Sequence, residues 1–367
     1  TTKHDVKAVE YFIKNKIKNN NLLNKYKEHI HICCTSEDIN NIAYSLMIKE
    51  GRDLLIYQAS TLQRTMKSMG KKYRNIAMLS HTHGQPASPT TMGKEFINFY
   101  RRLDAQIDDL SNIEIKGKFN GATGNYSAHS VTYPKVNWPN TMRKFVNTLK
   151  LEFNSHTTQI EPHDYIADLC HKINHINSIL IGFSQDVWAY ISKNYFTQKN
   201  IKGEIGSSTM PHKINPINFE NAEGNLGMSN AISNYFSNKL VISRLQRDLS
   251  DSTVLRNIGL VYAYSIVAYK NITLGLSKLD INKQKINNDL DECWEILAEP
   301  IQMVARKYQI SNSYEYLKKY TRGKKVDKGV IEKIITNLNI PENEKSRLLD
   351  LTPRKYIGYA NKLCDVK

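Results

Sequence analysis

Apolar positions along this chain recur at intervals of three and four far more often than at intervals of two, and that pattern predicts helices. The clearest stripe runs Ile166, Leu169, Ile173, Ile176, Leu180, Phe183, Val187, Tyr190, with gaps of 3, 4, 3, 4, 3, 4 and 3. Such spacing keeps one apolar seam turned toward a partner helix for about seven turns. Glu161-Pro162 lies just before it, and proline suits a helix's first turn. A second long helix is expected to start at Thr35-Ser36-Glu37-Asp38, where hydroxyls followed by acids satisfy free backbone N–H groups. It should run to about Met69 and stop at Gly70. A third follows Pro86 and Pro89 and continues to about Asn112, and further helices fit 217–239 and 250–275. Long helices with seams on several sides predict an all-α, long-helix bundle that assembles as an oligomer.

Loops between these helices hold the unusual residues. Positions 114–139 are rich in Gly, Asn and Pro, and 197–216 contain Gly203, Gly206, Pro211 and Pro216. From about 276 the pattern shortens and the charge density rises, which marks a small helical C-terminal domain over 276–367 after a central bundle over 35–275. At 367 residues and 40% hydrophobic, the chain has enough apolar material for a large core. No run of eighteen or more apolar residues appears, so no membrane span is expected. The opening Thr1-Thr2-Lys3-His4-Asp5-Val6 lacks a signal layout and an initiator Met, which fits a start inside a longer protein.

The five cysteines have no Cys-x-x-Cys pair and no zinc spacing, so they read as reduced thiols in a cytoplasmic protein, and no metal is expected. The net charge of +16 admits nucleic acid binding or a cationic site for a polyanionic small molecule. Lysines are interleaved with acids, with no recognition-helix cluster or zinc finger, so the small molecule is favoured and no nucleic acid partner is expected.

The segment Gly206-Ser207-Ser208-Thr209-Met210-Pro211-His212-Lys213-Ile214-Asn215-Pro216 carries the densest chemistry. It offers hydroxyls, free amides, a cation and an amide side chain, with Glu220 following near the start of the next helix. Chemically this is a mobile anion-binding lid. A Gly-Ser-Ser alone would read as a linker; the whole combination does not. The phosphate-loop pattern and the Gly-x-Ser-x-Gly elbow are both absent there.

This segment resembles the signature of the fumarase/aspartase superfamily, Gly-Ser-Ser-x-Met-Pro-x-Lys-x-Asn-Pro, with no departure at its fixed positions. Within the superfamily the chain is most similar to the adenylosuccinate lyase family, in its longer bacterial-type branch. Position 212 is His where fumarases and aspartases carry Gly. Thr2 to Val6, His31 with Thr35 to Asp38, Thr82-His83-Gly84-Gln85-Pro86, Thr158 to Asp164, and Arg247 to Arg256 resemble further family stretches in the right order. The resemblance covers essentially the whole chain. It implies that residues 1–34 are the remainder of an N-terminal domain whose larger part, with an Arg-Tyr pair for the nucleotide, precedes Thr1.

The reaction this implies is β-elimination of fumarate from adenylosuccinate, giving AMP, and from succinyl-aminoimidazole-carboxamide ribotide, both steps of purine biosynthesis. A base takes a proton beside a carboxylate, donors meet the charge of the resulting aci-carboxylate, and an acid protonates the leaving nitrogen. Read from the residues alone, His83 is the better base, since imidazole exchanges protons near neutrality and a serine hydroxyl needs activation. The resemblance instead makes His83 the acid and Ser207 the base. It also implies substrate contacts from Lys3, His4, Asp5, Thr35, Ser36, Gln159, Lys213, Asn215, Arg247, Ser252 and Arg256, and supporting roles for His31 and Glu220. No cofactor is implied. The implied assembly is a homotetramer whose sites are shared between subunits. The alternatives are another fumarate-releasing lyase of the superfamily, such as an argininosuccinate lyase or a fumarase, and a non-catalytic structural relative. His212 and the Thr2–Val6 stretch speak against the first, and retention of His83, Ser207, Lys213 and Glu220 against the second.

Overall fold

The structure, a computed structural model, describes residues 2–201, 203, 209–210, 212–324 and 326–366. Long helices dominate: Ser36–Lys72, Met92–Ser111, Asp164–Ser192, Ile217–Lys239 and Ile258–Ser277. Shorter helices, Lys283–Asp291 to Glu342–Leu349, follow toward the C-terminus. The chain divides into two compact units, and each long helix contributes residues to both. Unit one comprises Thr1–Ser60, Ala105–Ile181 and Asn221–Lys270; unit two comprises Thr61–Asp104, Gly182–Glu220 and Asn271–Lys367. Among the described residues no helix is long and apolar enough to cross a membrane.

The three-four periodicity was a sound guide to the long helices, and the differences have local causes. Gly70 does not end a helix; Ser36–Lys72 runs through it. A Cβ there would lie 2.5 Å from Ile97 Cδ1, and a Cβ on Gly93 would lie 2.4 Å from the Gly70 carbonyl. These two glycines let backbones approach within unit two, so the residue that reads as a stop is a packing device. The helix expected behind Pro162 starts two residues later, at Asp164. His163 adopts φ 66 and breaks the path between proline and helix. The stretch 250–275 divides into Ser250–Leu255 and Ile258–Ser277.

The 166–190 seam is filled by the chain itself: Ile166, Leu169, Ile173, Ile176, Leu180, Phe183 and Val187 are all buried. The core of unit one also holds a polar knot. Asn177 Nδ2 donates to Ser229 Oγ at 3.1 Å and to Ser265 Oγ at 3.0 Å, while Tyr269 Oη donates to Asn177 Oδ1 at 2.8 Å. A satisfied polar cluster between helices fixes their register as apolar contacts alone would not.

Among the described residues, three small two-stranded sheets interrupt the helices. One is a hairpin in unit two, Ala77–Thr82 against Gln85–Thr91, antiparallel, with Thr82 opposite Gln85. Its two-residue turn is His83-Gly84, with φ 52 and φ 73. Positive φ at both central positions suits the right-handed twist of paired strands. Register slips between Met78 and Ser80, so the stretch with Ser88 and Pro89 bulges; proline, having no N–H, is tolerated there.

Candidate active site

Unit one contains a pocket of about 560 Å³ lined by Lys3, His4, Asp5, Thr35, Ser36, Gln159, Arg247, Ser252 and Arg256, together with Glu37, Asn40 and Leu249. Separate stretches of sequence build its walls.

The first wall is the start of the Ser36–Lys72 helix. The Thr35 amide donates to Asp38 Oδ2 at 2.9 Å, so a carboxylate three residues on caps this helix, where hydroxyls were expected to. Asp38 is fully buried and also accepts from the amides of Asn120 and Gly121. Its charge is met by Lys118 Nζ at 2.8 Å, equally buried. Burial pushes the Lys118 amine below its ordinary range, against the pull of Asp38.

The second wall is the stretch around Ser250–Leu255. Asp248 accepts from the Ser250 hydroxyl and amide and from the Arg244 amide, which hold its carboxyl well below the usual carboxylate range. Arg247 forms a short ion pair with Glu37, and its Nη2 stands 4.0 Å from Asp251 Oδ1. Asp251 lies 3.4 Å from buried His163 Nε2. Burial works against a charged Asp251, but the His163 hydrogen bond and the Arg247 guanidinium outweigh it and hold the carboxyl below its ordinary value. The charge of Arg247 is therefore already matched inside the protein. Arg256 is exposed and forms no ion pair with a carboxylate among the described residues, so unlike Arg247 its guanidinium is not tied to a carboxylate inside the protein.

The third wall joins Lys3-His4-Asp5 to Gln159. His4 caps the Asp5–Ile17 helix, its Nδ1 accepting from the Lys7 amide at 3.2 Å. Gln159 Nε2 donates to the Ala122 carbonyl at 3.1 Å, and its amide donates to the Gln246 carbonyl at 3.3 Å, which ties it to the Arg247 stretch. A helix N-terminus facing planar cationic forks is suited to a phosphate or carboxylate.

The other expected residues lie elsewhere. His31 is in unit one at φ 67 and does not line this pocket. His83 is exposed at the hairpin tip in unit two. Also in unit two, the Lys213 amide donates to the Met210 carbonyl at 3.0 Å, and Asn215 lines a pocket of about 350 Å³ with Gln198, Asn218 and Leu274. Glu220 Oε1, in the first turn of Ile217–Lys239, accepts from Trp188 Nε1 at 3.0 Å. Ser207, with Gly206, Ser208 and Pro211 of the same segment, lies outside the described residues. Glu37, His163, Asp251, Asp38 and Lys118 were not singled out from the sequence. Of these only His163 has a distinctive backbone, at φ 66, and nothing in the sequence marks the others.

A family model described as "Lyase" matches residues 1–230, and one described as "Adenylosuccinate lyase C-terminal" matches residues 243–357. The chain is 56% identical over 365 residues to an adenylosuccinate lyase of Buchnera aphidicola from Schizaphis graminum, spanning 99% of this chain and 80% of that one. It is 51% identical over 367 residues to the adenylosuccinate lyase of Escherichia coli, spanning 100% and 80%. The chain belongs to the adenylosuccinate lyase family. It is an enzyme, a lyase, and its fold is that of the fumarase/aspartase superfamily. Solved structures support the fold: a 3-carboxy-cis,cis-muconate lactonizing enzyme from Pseudomonas putida aligns with TM-score 0.78 at 18% identity, covering 98% of this chain and 79% of that one. A fumarate lyase from Mesorhizobium aligns with TM-score 0.76 at 17% identity, covering 92% and 78%. Identity that low speaks to architecture and not to substrate.

Proposed function

We propose that the chain releases fumarate from succinylated purine nucleotides, converting adenylosuccinate to AMP and succinyl-aminoimidazole-carboxamide ribotide to its carboxamide. One observation carries this beyond family membership: Thr35, Ser36, Gln159, Arg247, Ser252 and Arg256, far apart in sequence, line a single polar pocket. In this reading the helix start and the Arg247–Arg256 stretch hold the nucleotide's anionic end, and Gln159, Lys3, His4 and Asp5 hold the rest. Lys213 and Asn215 hold the carboxylates of the succinyl group. Ser207 removes the proton from the carbon beside a carboxylate. The electron pair moves through the aci-carboxylate to expel the nitrogen, which takes a proton from His83. His31 and Glu220 support these two groups. No cofactor takes part.

The test is a spectrophotometric assay on the full-length protein. Loss of adenylosuccinate should match formation of AMP and fumarate one for one. Turnover of argininosuccinate or malate without turnover of adenylosuccinate would sink the assignment and favour another lyase of the superfamily.

The working form in this reading is a cytoplasmic homotetramer with shared sites. The stripe from Ile166 to Val187 is buried within the chain, so this reading places its interface elsewhere. Support comes from large apolar side chains left exposed on the long helices: Met47, Leu54 and Tyr57 on Ser36–Lys72, Met228 and Tyr235 on Ile217–Lys239, Val267 and Leu274 on Ile258–Ser277. Such surface on a single chain calls for a partner. If sites are shared, mixing inactive His83→Ala with inactive Ser207→Ala under conditions of subunit exchange should restore part of the activity. Verified exchange without any recovery would argue for sites built within one chain.

A further inference from the structure

We infer that Asp38 and Lys118 are positioning residues: a buried ion pair that sets where Thr35 and Ser36 stand against Gln159. The inference rests on the proposed reading of that pocket as the substrate site. Neither residue lines the pocket, and both side chains are wholly buried at 2.8 Å from each other. Asp38 gathers the amides of Thr35, Asn120 and Gly121 on its two oxygens. Lys118 Nζ donates to the Gly121 carbonyl at 3.0 Å. Its backbone is fixed as well: Asn41 Oδ1 accepts from the Lys118 amide at 2.8 Å, and Asn41 Nδ2 donates to the Lys118 carbonyl at 3.0 Å.

Residues 118–122 then lead directly to the opposite wall. The Ala122 carbonyl accepts from Gln159 Nε2, and Asn120 Nδ2 donates to Thr157 Oγ1 at 2.8 Å. A path of hydrogen bonds joined by the backbone of 120–122 therefore runs from the Thr35 amide to the Gln159 side chain, with the ion pair at its root. Two apolar side chains of similar volume could fill the same space, and such replacements are often tolerated for stability. They could not hold three amides and a carbonyl in one arrangement. The geometry explains why charge is buried here.

Steady-state kinetics on adenylosuccinate with the full-length enzyme tests this. Asp38→Asn keeps the shape and one acceptor but removes the charge. It should raise KM about tenfold while kcat stays within about threefold of the parent. A merely structural role would lower melting temperature and active fraction, and so apparent kcat, without moving KM. A folded Asp38→Asn enzyme with parental KM overturns the inference. If Asp38→Asn fails to fold, Thr157→Val decides, because it cuts the same set of bonds away from the ion pair. KM should rise about threefold, and an unchanged KM overturns the inference. Ser36→Ala separates the two readings. If it too leaves KM unchanged, the pocket is not the substrate site; if it raises KM while Asp38→Asn does not, only the positioning role falls.

Discussion

Replacing His83 by alanine is expected to lower kcat by about 10²–10⁴-fold, the usual contribution of a general acid, with the melting temperature held near that of the parent. The two halves of that expectation have separate grounds. His83 is exposed at the tip of a two-residue turn, so its side chain adds no core packing. Its φ of 52 is set by the hairpin, and alanine inherits the same backbone cost. Nothing in the fold therefore requires an imidazole there, which is what the proposed acid role expects. In that role the imidazole gives a proton to the leaving nitrogen. Near-normal kcat in folded His83→Ala would remove the acid assignment. Ser207→Ala should produce a loss of similar size if Ser207 is the base, with the oligomer intact in both variants. Equal activity of Ser207→Ala and the parent would return the base role to His83, the residue that side-chain chemistry alone favours.

The helices were legible because burial imposes a period, and period survives in sequence. The 217–239 expectation coincides with the helix Ile217–Lys239, and the stripe from Ile166 to Val187 is buried along its length. The pocket was legible for a different reason: its residues lie in short stretches that resemble a known family. Geometry between distant residues was not legible by either route. Glu37 was visible only as an acid at a helix start; that it pairs with Arg247, 210 positions away, has no local signature. Asp38 reads the same way, and Lys118 reads as one lysine among many in a basic chain, yet both are wholly buried. The hairpin around His83 was missed because one of its strands carries two prolines, which read as helix boundaries. Gly70 was misread because a glycine that ends a helix and one that admits a neighbouring backbone look alike in sequence.

The same ambiguity yields the second large expected effect, Gly124→Ala. Two glycines, Gly84 and Gly124, both hold positive φ, at 73 and 81. A Cβ on Gly84 meets nothing within 4 Å, whereas a Cβ on Gly124 lies 2.2 Å from the Thr157 carbonyl oxygen and 2.8 Å from that of Thr158. Alanine at 84 should therefore cost only the conformational part, about 1 kcal/mol. At 124 a second cost is added, because the obstructing atoms are backbone and cannot rotate aside. Displacing packed structure typically costs about 1–3 kcal/mol, so Gly124→Ala should lose about 3 kcal/mol in all. Thermal melting of the two variants beside the parent separates these contributions. Equal shifts would mean that the close approach at Gly124 carries no weight. The loss should also reach the pocket. Gly124 packs against Thr157 and Thr158, immediately before Gln159, so a backbone pushed away there carries Gln159 with it. Folded Gly124→Ala enzyme should show a raised KM for adenylosuccinate, while Gly84→Ala, next to the proposed acid His83, should act on kcat. Two glycines alike in φ would then be told apart by the kinetic constant each one moves.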